Sequence, residues 1–140
     1  MLTVEQILMI RGPDVIVASP GDTVYQATRQ MTQANVGSVV IAEGGKALGI
    51  FTERDLLTRV VSKEKDPKTT PLSEVMSSPV ISCGLQDTVE SIGGRLSERH
   101  IRHLVVIEDG ALMGLIGLRD VLSAELDYNK RRVRELEEDR

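Results

Sequence analysis

Aromatic side chains are nearly missing from this chain, which has two Tyr, one Phe and no Trp in 140 residues. Its core must therefore be aliphatic, and the shortage argues against a platform of stacked rings for nucleic acid. There is no basic surplus either. The formal net charge of -4 argues against a broad phosphate-neutralising surface, although it leaves room for a local basic pocket. The lone Cys83 precludes an internal disulfide, and its simplest reading is a small buried thiol. Only His100 and His103 accompany it, so no cluster has structural zinc spacing. No apolar run is long enough to span a bilayer, and "MLTVEQILMI" carries an early acid with no small-residue cleavage pattern after it. We therefore expect a cytoplasmic protein with no membrane attachment.

What the chain does have is a repeat. Adding 65 to each position from Val15 to Leu57 lands, without a gap, on a counterpart from Val80 to Leu122, and 12 of the 43 pairs are identical. The matches include Asp22 with Asp87, Thr23 with Thr88, Gly49 with Gly114, Arg54 with Arg119 and Asp55 with Asp120. Each half reads in the same order. A short apolar strand ("VIVA" at 15–18, "VISC" at 80–83) leads to a helix that Asp22 or Asp87 could cap. The helix buries Val24, Ala27 and Met31 in one copy and Val89, Ile92 and Leu96 in the other. Two strands follow, joined by the tight turns "EGGK" and "EDGA", and a closing helix begins near "ERDLLTRVV" or "LRDVLSAEL". The fold class is thus α/β (α+β), with two strand-helix-strand-strand-helix units packed face to face.

The chain order divides into a first repeat at 1–61, a polar linker at 62–71 ("SKEKDPKTTP"), a second repeat at 72–125 and a charged helix or tail at 126–140. "VEQIL" at 4–8 and "LSEVM" at 72–76 read as short lead-in helices at an offset of 68, so an insertion lies outside the repeated core. In the tail, Leu122, Leu126, Val133 and Leu136 share one helical face, interrupted at Asn129, which suits packing against a dimer mate or another partner. The bases of "KRRVR" are followed by the acids of "ELEED", a pattern of an exposed helix that argues against nucleic acid as a partner.

"SEVMSSPVISC", the hairpin after "IRHLVV", and the paired endings "GIFTERD" and "GLIGLRD" together resemble the cystathionine beta-synthase (CBS) domain, twice over. The chain is similar to a stand-alone CBS pair, or Bateman module. The resemblance implies a pseudo-twofold pair with two clefts between the repeats, a regulatory role without catalysis, and association into a homodimer of four repeats. It also implies an adenosine-containing ligand: AMP, ADP, ATP, S-adenosylmethionine or NADH, held as a regulatory ligand and not as an obligatory cofactor. A separate regulated protein is a further implied partner.

In "GIFTERD", Thr52 stands where free helix N–H groups and its own hydroxyl can meet phosphate oxygens, and Arg54 offers a cation to the same polyanion. Asp55 can accept hydrogen bonds from ribose hydroxyls, the role the family gives the acid at this position. A capping box of Thr52 with Asp55 is the competing reading. The second copy keeps Asp120 but has Gly117 in place of the threonine, which favours ribose over capping. Family geometry implies one cleft of Thr52, Arg54, Asp55, Ser82, Cys83, Ile101 and Arg102. The other would take Gly117, Arg119, Asp120, Val17, Ala18, Val36 and Gly37. Because Gly117 lacks the hydroxyl and Gly37 replaces the Arg102 equivalent, the Asp55 cleft ranks first. The alternative function is a ligand-free structural module for dimerisation or protein interaction.

Overall fold

The structure, a computed structural model, describes residues 2–12, 15–99 and 102–139. The first repeat contributes β1 (Val17–Ala18), α2 (Val24–Ala34), β2 (Ser38–Glu43), β3 (Lys46–Thr52) and α3 (Glu53–Asp55), which widens into a π-helical run over Leu56–Val61. The second contributes β4 (Ser82–Cys83), α5 (Val89–Arg99), β5 (His103–Glu108), β6 (Ala111–Gly117) and α6 (Leu118–Glu138). Two lead-in helices, α1 (Val4–Arg11) and α4 (Leu72–Val75), precede the repeats. The sheets run in the order β1-β2-β3 and β4-β5-β6. Val17 pairs with Val40 in parallel, and Ser82 pairs with Val105 in the same way, so the 65-residue offset holds to the residue in the strand register.

Local chemistry explains the elements. Each hairpin turns on two consecutive residues with positive φ, Gly44 and Gly45 (59° and 78°) or Asp109 and Gly110 (50° and 79°), the backbone a two-residue hairpin loop demands. The helices after β1 and β4 are capped by threonine, not by the acid before it. The Thr23 hydroxyl accepts from the Gln26 N–H at 3.2 Å, and the Thr88 hydroxyl accepts from the Ser91 N–H at the same distance. Asp22 and Asp87 instead close the preceding turns, accepting from the Ser19 N–H at 2.9 Å and the Gly84 N–H at 2.7 Å. The expected Asp caps are corrected by one residue. Thr23 has the extended backbone of a cap, and both acids reach three residues back.

Two compact units form, and they cut across the chain order. One comprises residues 1–13, 81–109 and 113–140; the other comprises 14–80 and 110–112. In the first unit, Val4, Ile7 and Leu8 of α1 share a core with Cys83, Val89, Ile92, Leu96, Leu104, Val106, Ile116 and Val121. Leu72 and Val75 of α4, in the other unit, share a core with Val24, Ala27, Met31, Val39, Ile41, Phe51 and Val60. Each lead-in helix therefore packs with the repeat it does not precede. This exchange accounts for the glycine kept in both copies. A Cβ on Gly49 would stand 2.6 Å from the Met76 sulfur and 2.9 Å from the Ser77 carbonyl; one on Gly114 would stand 3.0 Å from a Leu8 methyl.

Both sites are too close for a methyl group, but they differ in what must move. At Gly114 a flexible leucine can give way, whereas at Gly49 a backbone carbonyl blocks the space. Gly49→Ala should therefore cost about 1–3 kcal/mol and Gly114→Ala less. Urea denaturation midpoints of the two variants provide the comparison, and equal shifts would contradict the packing described.

Candidate functional site

Asp55 and Asp120 stand on the first turn of the helix that closes each repeat, next to the open end of a β-hairpin. At that end the Glu53 N–H donates to the Gly37 carbonyl at 3.0 Å, and the Leu118 N–H donates to the Arg102 carbonyl at 2.8 Å. The two carboxylates are used differently. One oxygen of Asp55 accepts from the Thr52 N–H at 3.0 Å and from the Thr52 hydroxyl at 3.2 Å. Its other oxygen accepts from the Ser77 hydroxyl at 3.1 Å and faces Arg59 Nε at 3.5 Å. Three hydrogen bonds and an ion pair thus engage the carboxylate, and the side chain is only 8% exposed.

Asp120 holds fewer partners. One oxygen accepts from the Gly117 N–H at 2.8 Å, while the other pairs with Arg11 Nε at 3.2 Å, and 27% of the side chain is exposed. About half its acceptor capacity is unused. The Gly117 bond also corrects an inference from the sequence. An acid three residues into a helix can tie down the cap residue's N–H whether or not that residue has a hydroxyl, so capping accounts for Asp120 as well as Asp55.

Three partners of the acids escaped the sequence reading. Arg59 lies one helical turn beyond Asp55, a spacing that could have revealed it. Ser77 and Arg11 follow or end the lead-in helices, and no local pattern links them to the acids. Ser77 exchanges backbone hydrogen bonds with Ile50 at 2.8 and 3.0 Å. Arg11 donates to the carbonyl of Leu115, the repeat counterpart of Ile50. In each unit, then, the exchanged lead-in segment grips both the acid and the same point on the neighbouring strand.

The remaining candidates sort by strand alternation. Val17 and Ser82 point outward and are exposed, whereas the side chains of Ala18 and Cys83 belong to the two cores. Ala18 and Cys83 can offer a ligand backbone groups only. Arg54, Arg102 and Arg119 are exposed, as is Val36; Gly37 abuts the Glu53 carboxylate, and Gly117 is buried beside Asp120. Ile101 and His100 lie outside the described residues. Among the described residues no three His, Cys, Asp or Glu side chains are grouped to hold a metal, and no helix is long and apolar enough to cross a membrane.

Burial, helped by Asp87 and opposed by Arg95, pushes the Cys83 thiol up to about 11. Burial also lowers the His103 imidazole below its usual value, with Arg11 and Arg102 acting in the same direction and Asp120 against them. His103 is therefore neutral at pH 7 and lends no cation to this site.

With the geometry defined, comparison with known proteins identifies the family. Residues 4–62 and 72–127 each match the CBS domain, and the chain belongs to that family as a tandem pair. As such it is a non-catalytic regulatory module. It is 36% identical over 114 residues to protein MK0525 of Methanopyrus kandleri, a match covering 80% of this chain and 58% of that one. It is 32% identical over 107 residues to the CBS domain-containing protein YhcV of Bacillus subtilis, covering 76% of each. The chain thus spans little more than half of the first relative's length. Among solved structures it resembles the CBS-domain protein NE2398 (TM-score 0.84, 31% identity, 89% of this chain and 97% of that one). It also shares the fold of PAE2072 from Pyrobaculum aerophilum, solved with AMP (TM-score 0.76, 23% identity, 85% and 89% covered).

Two chemical tests follow from this electrostatic setting. At pH 8 the folded protein should react with a thiol reagent far more slowly than the urea-unfolded chain, since Cys83 is both buried and protonated there; equal rates would refute that environment. His103 should titrate below 6.5 by NMR. Because its folded value lies below its unfolded one, the associated stability is complete above about pH 6.5 and is lost as pH falls through the folded value. His103→Gln should remove that acid limb.

Proposed function

We propose that this CBS pair senses an adenosine-containing ligand through the acids on the closing helices, and that it works as a homodimer whose ligand state is read by a regulated protein. The observation that carries this reading is the common placement of Asp55 and Asp120. Both stand on the first turn of a helix, at the open end of a hairpin, with exposed Arg54 or Arg119 next in sequence. The carboxylates suit ribose hydroxyls, and the arginines suit phosphates. Support for the ligand class comes from the AMP held by the Pyrobaculum protein of the same fold.

The order of the two sites changes once the hydrogen bonds are counted. The Thr52 hydroxyl that put the Asp55 site first is already bound to Asp55, whose other oxygen is engaged by Ser77 and Arg59. Asp120 keeps free acceptor positions and exposure, so we place the stronger ribose contact there, with Gly117, Arg119 and Arg102 around it. Val17, Val36, Ser82 and the backbones of Ala18 and Cys83 are candidate adenine contacts.

A second reading has its own support. Each acid has partners within the chain, so a ligand-free scaffold also explains why both copies keep one. Calorimetry separates the two with AMP, ADP, ATP, S-adenosylmethionine and NADH as titrants. We expect at least one to bind and Asp120→Ala to weaken it by about 10- to 100-fold, the value of a charged hydrogen bond. Asp55→Ala should mainly lower thermal stability, because it leaves Ser77 and Arg59 without their carboxylate. Silence from all five titrants would leave the scaffold.

A further inference from the structure

The last stretch of α6 stands apart from the core that anchors its start. Val121 and Ala124 are buried in that core, but every residue from Leu126 to Glu138 is exposed. A free-standing helix of about a dozen residues is marginal in water and needs a partner to persist.

Its sequence supplies the partner's description. Leu122, Leu126, Asn129, Val133 and Leu136 are separated by four, three, four and three residues, the spacing of alternating d and a positions in a heptad. All four apolar members are exposed in the single chain. With Leu126 and Val133 at a, the g positions are Glu125 and Arg132, and the e positions are Lys130 and Glu137.

In a parallel pair of such helices, each g residue meets the e residue five positions later on the other helix. Glu125 then faces Lys130 of the second copy, and Arg132 faces Glu137 of the second copy. Both contacts are attractive, and symmetry makes each occur twice. The antiparallel alignment that pairs Leu126 with Leu136 opposes Arg132 to Arg132 and Lys130 to Lys130. The alignment that pairs Leu122 with Val133 avoids this, yet it leaves Leu136 uncovered. Only the parallel, in-register pair both matches the charges and covers all five layers. It also sets Asn129 opposite Asn129, a polar layer of the kind that fixes register at some cost in stability.

We propose that residues 122–138 form a parallel, in-register coiled-coil seam with the same helix of a second copy of this chain. The seam rests on the homodimer proposed above and is independent of the ligand.

Disulfide trapping and charge exchange in the full chain test it. Oxidation of Asn129→Cys should yield a cross-linked dimer, while Arg131→Cys, at the outward f position, should not. Sedimentation equilibrium should show Glu125→Lys and Lys130→Glu each weakening the dimer by about threefold to tenfold, with the double variant recovering most of the loss. Glu125 is half-buried and the other substituted positions are exposed, so circular dichroism should show every variant folded. Recovery by Glu125→Lys with Arg132→Glu instead would establish the antiparallel pairing and overturn the seam as drawn. A dimer that resists cross-linking at residue 129 would leave the homodimer standing and refute the seam. A monomer at tens of micromolar would refute both.

Discussion

Closing each core with the other repeat's lead-in helix is the constraint on which the rest of this structure depends. A three-stranded sheet with a helix after its first strand and a closing helix leaves apolar surface uncovered, and α1 or α4 fills it. Val4 and Ile7 are fully buried among the side chains of the second repeat, as are Leu72 and Val75 among those of the first. At about 1.5–3 kcal/mol for each large apolar side chain buried, the contribution is comparable to the net stability of a small domain. Neither repeat therefore has a complete core without the segment that introduces the other.

The same exchange controls the acids. Ser77 and Arg11 arrive with the lead-in segments, and each reaches the carboxylate on the opposite repeat's closing helix. Anything that competes for those oxygens acts on the segment that closes the core. In the first repeat the competitor must displace a neutral hydroxyl from a nearly buried acid that Arg59 also faces. For Asp120 it meets one arginine on a partly open carboxylate. A differential effect on two packing states is what regulation by ligand requires, and this wiring provides a physical route to it.

How much of this was legible in the sequence depended on the range of the interaction. The hairpins could be read because their turns require positive φ, which glycine and Asp-Gly supply locally. The helix faces could be read because burial repeats every three or four residues, and the α/β (α+β) class of two repeated units followed from the 65-residue offset, while the likeness to the CBS domain lay in "SEVMSSPVISC" and the paired endings. The acids' partners could not be read in the same way. Arg11 and Asp120 are joined only because α1 packs far along the chain, and no periodicity records that choice. The misplaced caps at Asp22 and Asp87 show a finer limit, since two adjacent cap-forming residues can be told apart only by which backbone N–H each reaches. The glycine at 49 and 114 was visible as a match, but its cause, the close approach of Met76 and Leu8, belonged to the exchanged packing.

The point where the repeats diverge is itself informative. Leu57 and Val61 are exposed on the first closing helix, and their counterparts Leu122 and Leu126 are exposed on the second, so both copies present the same apolar pair. The first copy carries this pair within its π-helical run over Leu56–Val61 and then leaves the helix at Glu64, a positive-φ residue, for the proline-bounded linker. The second continues in residues of high helix propensity, with no glycine or proline before its last turn. The face common to both repeats thus ends in a turn in one and is prolonged by two heptads in the other. In a symmetric pair of chains only the prolonged copy can zip, which gives one seam per dimer and leaves the shorter face of the first repeat free of any such extension.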